Sequence, residues 1–458
     1  MEKSFCEQDI KLGFLIADEG WMIGKDGKLA SFYANPEKFP YGLGKTVEIC
    51  KQEYGLKKFF CWHTYSGYWK GLDSEVFTQY AIVNEPFGIP DRLRSDSVDQ
   101  AFSATAGDDF YPMNIADQES GICYKNVSSV YRDFYLALKE QKVDGTKIDA
   151  MTWSEAFAEG RGGRVNVMKK LLRAIESASD EVFDGEHINC SSCSNDFFMN
   201  IGTGTVTRTS CDYMPDKPLT HGAHVQDNAF VGFWVQPIVT ADWDMFESGS
   251  EWGEYHAAAR SVSGGPVYCT DRPEKIDYAL IRKLCTKEGK VFRCEENAKP
   301  TENCLFGTPV GEPFRIFNRT KHGDVLAAFG TAECKRETQL ALSEINGLEK
   351  GTYAVYSSRK GFIGIMTESD CVGCDLKARD AEIFTVVKVQ DGCAVLGMVE
   401  KLNPSAYIKE ISVLENSVCV MAAEVGKIGV YTEENGYREY FGDHIFVTKQ
   451  AKEEKECS

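Results

Sequence analysis

Short apolar runs ending on polar residues recur through the first 304 residues. Leu12–Ala17, Lys57–His63, Thr146–Met151, His187–Cys190, Val206–Ser210, Gln236–Asp242 and Pro266–Thr270 each have strand length and carry acidic, His or Arg residues near one end. Amphipathic helices alternate with them. Val127, Val130, Tyr131, Phe134 and Leu138 form one apolar stripe, and Val165, Met168, Leu171, Leu172 and Ile175 form another. Such alternation predicts a parallel sheet, and polar residues gathered at strand ends predict a (β/α)8-type (TIM) barrel with its site at that face. The Gly-Arg-Gly-Gly-Arg run at 160–164 lacks the Lys-Ser/Thr ending of a phosphate loop and is expected to be a helix entry. Beyond residue 305 the pattern changes to short strands separated by Gly, Asp and Asn turns, including Phe314–Asn318, Val325–Phe329, Ile383–Val389, Ala394–Val399 and His444–Thr448. The expectation is α/β plus all-β: a barrel over 1–304, an antiparallel β-sandwich over 305–450, and a disordered tail over 451–458.

Composition narrows the function. A chain of 458 residues, 43% hydrophobic and 12% aromatic, can bury two or three cores. Its net charge of −18, with no Lys/Arg-rich block, argues against nucleic acid or an anionic membrane as partner and favours a small neutral substrate. No apolar run reaches the roughly 18 residues of a membrane span, and Met1–Trp21 has no signal-peptide pattern, so a cytoplasmic protein is expected. The 17 cysteines are odd in number and scattered, which fits a reducing compartment. Cys190-Ser-Ser-Cys193 and Cys371-Val-Gly-Cys374 have the gap of metal knuckles but no companion His cluster; they read as free thiols, with no metal and no cofactor.

Two motifs carry chemistry. In Asp144-Gly-Thr-Lys-Ile-Asp149, Lys147 and Asp149 are two apart, so a strand would aim both into one cavity, where a cation keeps a nucleophilic carboxylate ionised. Arg208-Thr-Ser-Cys-Asp212 again sets a basic residue close to an acid. Either motif alone reads as a strand-end salt bridge. Together and in order, they point to the paired carboxylates of glycoside chemistry.

These motifs stand in a longer series: Asp18-Glu-Gly-Trp21, Trp62-His63 with Gly67-Tyr-Trp69, the two above, Gln236-Pro237 with Asp242-Trp-Asp-Met-Phe246, and Ser263-Gly-Gly-Pro266. The series resembles that of the raffinose synthase and alkaline α-galactosidase family, and the similarity extends to Glu254–Arg260 and Ala394–Ile408. The resemblance implies a retaining α-galactosyl enzyme acting on raffinose-type oligosaccharides or galactinol through a covalent glycosyl–Asp intermediate. Asp149 matches the nucleophile and Asp212 the general acid/base. Asp18, Glu19, Trp21, Trp62, His63, Lys147, Arg208 and Asp242 are the implied substrate-binding residues, with Trp69 and Trp243 as further flat faces for a pyranose. His256 and Arg260 read equally as structural pair or substrate contact. Two departures matter. Family members carry a β domain and a first barrel strand before the point where this chain begins, which implies exposed sheet edges and an oligomer or partner that covers them. The family's pair of galactose-gripping acids is Asp-Asp, and here it is Asp18-Glu19. Hydrolysis is expected to exceed transfer, because the stretch Asp73–Asn126, where Phe77, Tyr80, Phe87, Phe102, Phe110 and Tyr111 could form an acceptor shelf, is largely polar. The alternatives are galactosyl transfer from galactinol to sucrose, action on another sugar, and a truncated relative that only binds carbohydrate.

Overall fold

The structure, a computed structural model, describes residues 2–86, 119–158, 161–308, 311–330 and 337–449. Contacts divide the chain into two compact units, Met1–Thr220 with Pro237–Val239, and His221–Gln236 with Thr240–Ser458. That division falls well before residue 305, where the strand pattern changes. The physical reason is the second unit's core. Val225 and Ala229 of helix Thr220–Val235 and Tyr255, Ala258, Ala259 and Val262 of helix Gly253–Ser263 pack in one cluster with Phe314, Ile316, Val325, Ala327 and Ile383 of the β module.

The first unit is built on five parallel strands in sequential order: β1 (Phe14–Ala17), β2 (Lys58–Thr64), β3 (Gly145–Asp149), β4 (His187–Asn189) and β5 (Val206–Arg208). Helices connect them. Helix Leu43–Tyr54, bounded by Gly42 and a left-handed Gly55, lies between β1 and β2. Helix Val127–Glu140 precedes β3, and helix Arg164–Phe183 precedes β4. Each buries the stripe its sequence announces, except that Val165 is 51% exposed and the second stripe begins at Val167. The Gly-rich run is a helix entry, with Gly162 and Gly163 at positive φ immediately before Arg164. Phe134 is buried between sheet and helix, stacked on Phe32 at 4.9 Å. Truncating such a ring to alanine costs about 3–5 kcal/mol.

The second unit contains a six-stranded antiparallel sheet, ordered Lys299–Pro300, Phe314–Thr320, Gly323–Phe329, Ala381–Lys388, Thr352–Ser357 and Gly361–Thr367. A second antiparallel sheet places Ser417–Thr432 between Cys393–Met398 and Ile408–Val413, with Gly436–Thr448 also paired to it. Ala354 and Val387 of the first sheet pack against Ala394 and Leu396 of the second. Pro266–Thr270 is not a strand: only Cys269 bridges to Phe246. Proline removes a ladder donor there, and the preceding Gly264, left-handed at φ 82°, turns the chain as it leaves helix Gly253–Ser263. Cys371–Cys374 is a strand paired with Thr338–Ala341, so its two thiols face opposite ways, Cys371 exposed and Cys374 buried. No helix among the described residues is long and apolar enough to cross a membrane. The tail over 451–458 lies outside the described residues.

Candidate active site at the carboxyl ends of the parallel strands

Ligands of parallel α/β sheets bind beyond the carboxyl ends of the strands, and five of the implied site residues sit there in the first unit: Asp18 just past β1, Asp149 at the end of β3, Arg208 at the end of β5, and Trp62 and Lys147 one step inside β2 and β3. Trp62 and Lys147 are cross-strand partners, and Asp149, two residues beyond Lys147, shares their face. Trp62 is buried, yet its indole N–H donates to Asp149 Oδ2 at 3.0 Å. The other carboxylate oxygen, Oδ1, accepts from the backbone N–H of Ala150 at 2.6 Å. Ala150 lies at φ 58°, a region a residue with a Cβ visits rarely, so the chain turns sharply behind Asp149.

Lys147 also reaches across to β1. Its ammonium, 4% exposed, forms an ion pair with Asp18 Oδ2 at 2.7 Å, and Asp18 Oδ1 accepts from the backbone N–H of Glu19 at 2.8 Å. Asp149 itself is held by the two N–H donors. Glu19 turns outward and accepts from Tyr68 Oη at 2.6 Å and from Trp69 Nε1 at 3.4 Å. Burial and the Glu19 charge push the Tyr68 hydroxyl's pKa up, so it remains a protonated donor. Trp69 lies between Trp62 and Trp153, with ring centroids 5.1 and 5.4 Å away, which makes a partly open aromatic wall.

Arg208, 5% exposed, forms an ion pair with Asp212, 43% exposed. A single buried group ties both motifs together. The Cys190 thiol, immediately past β4, is pushed well up by burial, and Arg208, Asp149, Lys147 and Asp212 all act on it electrostatically. The charges of both motifs thus bear on one buried thiol, though burial is what chiefly raises it. Cys193 is exposed and sets its Sγ 2.8 Å from the Arg208 carbonyl.

The other expected site residues have different surroundings. His63 points to the opposite face of β2 from Trp62, fully buried against helix Val127–Glu140, with Nε2 2.9 Å from Tyr135 Oη. Burial brings its pKa down to about 4, so it is a neutral core residue. Trp21 is buried with its N–H on the Trp62 carbonyl at 2.7 Å, which supports Trp62 and leaves no face for a sugar. In the second unit, Asp242 is buried and accepts from Tyr268 Oη at 2.8 Å and the Asp244 N–H at 2.9 Å. Trp243 is fully buried there. Arg260 donates to the carbonyls of Trp243 and Met245 at 2.6 and 3.0 Å and lies 2.6 Å from His256 Nδ1, a structural tie. Of the expected acceptor shelf, Phe77 and Tyr80 are buried packing around Phe32, while Phe87, Phe102, Phe110 and Tyr111 lie outside the described residues. Sequence reasoning missed Tyr68, Ala150, Trp153 and Cys190 as parts of the site. Only Tyr68 had a signal, its place beside Trp69. Among the described residues no group of three or more His, Cys, Asp or Glu is placed to hold a metal ion.

The parallel sheet with acids at its carboxyl ends and the antiparallel sheets have a counterpart among solved structures. The solved structure of Arthrobacter globiformis T6 isomalto-dextranase superimposes on 95% of this chain and 72% of its own with a TM-score of 0.53 at 14% identity, a likeness of fold alone. The chain belongs to the family described as raffinose synthase or seed imbibition protein Sip1, which its residues 25–344 match. Among curated relatives, the probable galactinol–sucrose galactosyltransferase 6 of Arabidopsis thaliana is 28% identical over 92% of this chain and 62% of its own length. The galactinol–sucrose galactosyltransferase of Pisum sativum is 24% identical over 86% of this chain and 54% of its own. The chain thus spans about three-fifths or less of the length of these relatives.

Proposed function

We propose that this protein is a retaining α-galactosyl enzyme acting on neutral α-galactosides. The observation that carries the proposal is the Asp149 carboxylate, held by the Trp62 indole and the Ala150 N–H at the end of β3, with the Arg208–Asp212 ion pair at the end of β5 in the same sheet. Asp149, oriented by Trp62 and Ala150, attacks the anomeric carbon as the bond to the leaving oxygen breaks, and Asp212 gives that oxygen a proton. In the second half, water or a sugar hydroxyl loses its proton to Asp212, bonds to the anomeric carbon and releases Asp149. Arg208 orients Asp212 between these roles. Lys147 and Asp18 offer charge-assisted hydrogen bonds to ring hydroxyls, and the Trp69–Trp153 wall offers an apolar face. Hydrolysis of an aryl α-galactoside by the purified protein tests this; no turnover at any pH between about 5 and 9, the span over which general acids and bases are poised, overturns it.

The names of the relatives favour a second outcome of the same intermediate, capture by sucrose in place of water. Incubation with galactinol and sucrose distinguishes the two. Free galactose in excess marks a hydrolase, and raffinose in excess marks a transferase.

A further inference from the structure

The second unit contains a cleft of about 510 Å³, within the ~300–1,000 Å³ of small-molecule sites. It opens where the turn between strands Phe314–Thr320 and Gly323–Phe329 meets Val387 and Lys388 of one sheet and Val395 and Ile411 of the other. Two ion pairs line it. Arg319 Nε lies 3.0 Å from Asp324 Oδ1, and Lys388 Nζ lies 2.5 Å from Glu349 Oε2. A further cation, Lys321, donates to the Lys409 carbonyl at 3.1 Å. Arg319 also donates to the Asn346 carbonyl at 2.8 Å across Gly347, which is at φ 79° and where a Cβ would stand 2.8 Å from the guanidinium. The guanidinium is therefore held in place by the backbone shape beneath it. His322 lines the same cleft, and burial lowers its pKa.

From this geometry we infer that the cleft is a second binding site for a neutral oligosaccharide. An anion finds little net positive field, because each of the two ion-paired cations has its acid and the chain carries −18 overall. A purely apolar ligand would strand the paired charges without water. A saccharide matches both parts. Its hydroxyls donate to Asp324 and Glu349 while accepting from Arg319 and Lys388, and its C–H faces cover Val387, Val395 and Ile411. The cleft lacks the tryptophans of the catalytic face, so it holds chains by their general chemistry and is indifferent to galactose. This inference stands independently of the proposed galactosyl chemistry.

The test uses the full chain and panose, a trisaccharide that is not a galactoside, with raffinose in parallel on the Asp149→Asn variant and inorganic phosphate as the anion control. Panose is expected to bind saturably at one site, weakened at least tenfold by Arg319→Ala and by Lys388→Ala, with aryl α-galactoside turnover unchanged. On the unaltered chain, saturating panose is expected to slow acylation of Lys388, read by peptide mass, so the outcome does not depend on how the variants fold. Absence of panose binding, binding indifferent to both substitutions, no protection of Lys388, or displacement of panose by phosphate would each overturn the inference. Loss of the galactosyl proposal would show instead as absent galactoside turnover with panose binding intact.

Discussion

At Asp149 two N–H groups converge on one carboxylate, one from an indole and one from a left-handed backbone turn. Asp149→Asn and Asp212→Asn are each expected to lower turnover by roughly 10²–10⁴-fold or more with the melting temperature little changed, because attack and proton transfer are separate requirements. Retention of more than about a tenth of the activity in either variant would remove its assigned role. Trp62→Phe keeps an aromatic ring and deletes the donor. A hydrogen bond to a charged group contributes about 1.5–3 kcal/mol, so kcat should fall roughly 10–100-fold with KM nearly constant. Steady-state kinetics check this, and a kcat within about threefold of the parent would show that the Ala150 N–H orients the carboxylate alone. The acids themselves were legible in the sequence. Their partners were not: two-residue spacing put Lys147 on the face of Asp149 but could not show that Asp18, 129 residues away, would take the ammonium.

Two histidines sit where helices close over the parallel strands. His63 meets Tyr135, and His187 meets Ser179 of helix Arg164–Phe183, with Nδ1 2.9 Å from the hydroxyl. Burial lowers both to about 4, below the ordinary value near 6.5. Between those values the unfolded chain binds protons that the folded chain refuses, so stability is fully present above about pH 6.5 and is lost as pH falls toward about 4. Each histidine contributes a slope of up to about 1.4 kcal/mol per pH unit within that window. Urea unfolding across this range should show the decline, and His63→Gln should reduce its slope; an unchanged slope would mean that His63 is charged in the folded chain. The loop before β5 depends on Gly204, at φ 61°, where a Cβ would stand 1.7 Å from His187 Nε2. Gly204→Ala should destabilise by about 2 kcal/mol or more, measured by the same unfolding, through strain and overpacking. Most strand ends were blurred by one or two residues in the sequence, while Gln236–Asp242 begins only at Thr240 and His444–Thr448 begins already at Gly436, because apolar periodicity does not mark where a ladder stops. A long helix such as Arg164–Phe183 is read more securely, since its stripe repeats over several turns.

For the whole molecule, the proposed function pairs an acidic chain with an uncharged substrate, a pair that should show little electrostatic steering. KM for a neutral α-galactoside is expected to change less than about twofold between roughly 50 and 500 mM salt, since no counterions are released on binding. A steep salt dependence in steady-state kinetics would point to a charged substrate. The sequence by itself determined the alternation that makes a parallel sheet, the change to antiparallel strands, and the two acids with their order along the chain. These are local properties, carried by periodicity and by residue type. Tertiary structure decided the rest. It set the unit boundary near residue 220, because helices Thr220–Val235 and Gly253–Ser263 bury their apolar faces on the β module. It sent His63 into the core and Trp62 to the site, although the two are adjacent, because successive side chains in a strand face opposite ways and only the packed sheet decides which face a helix covers.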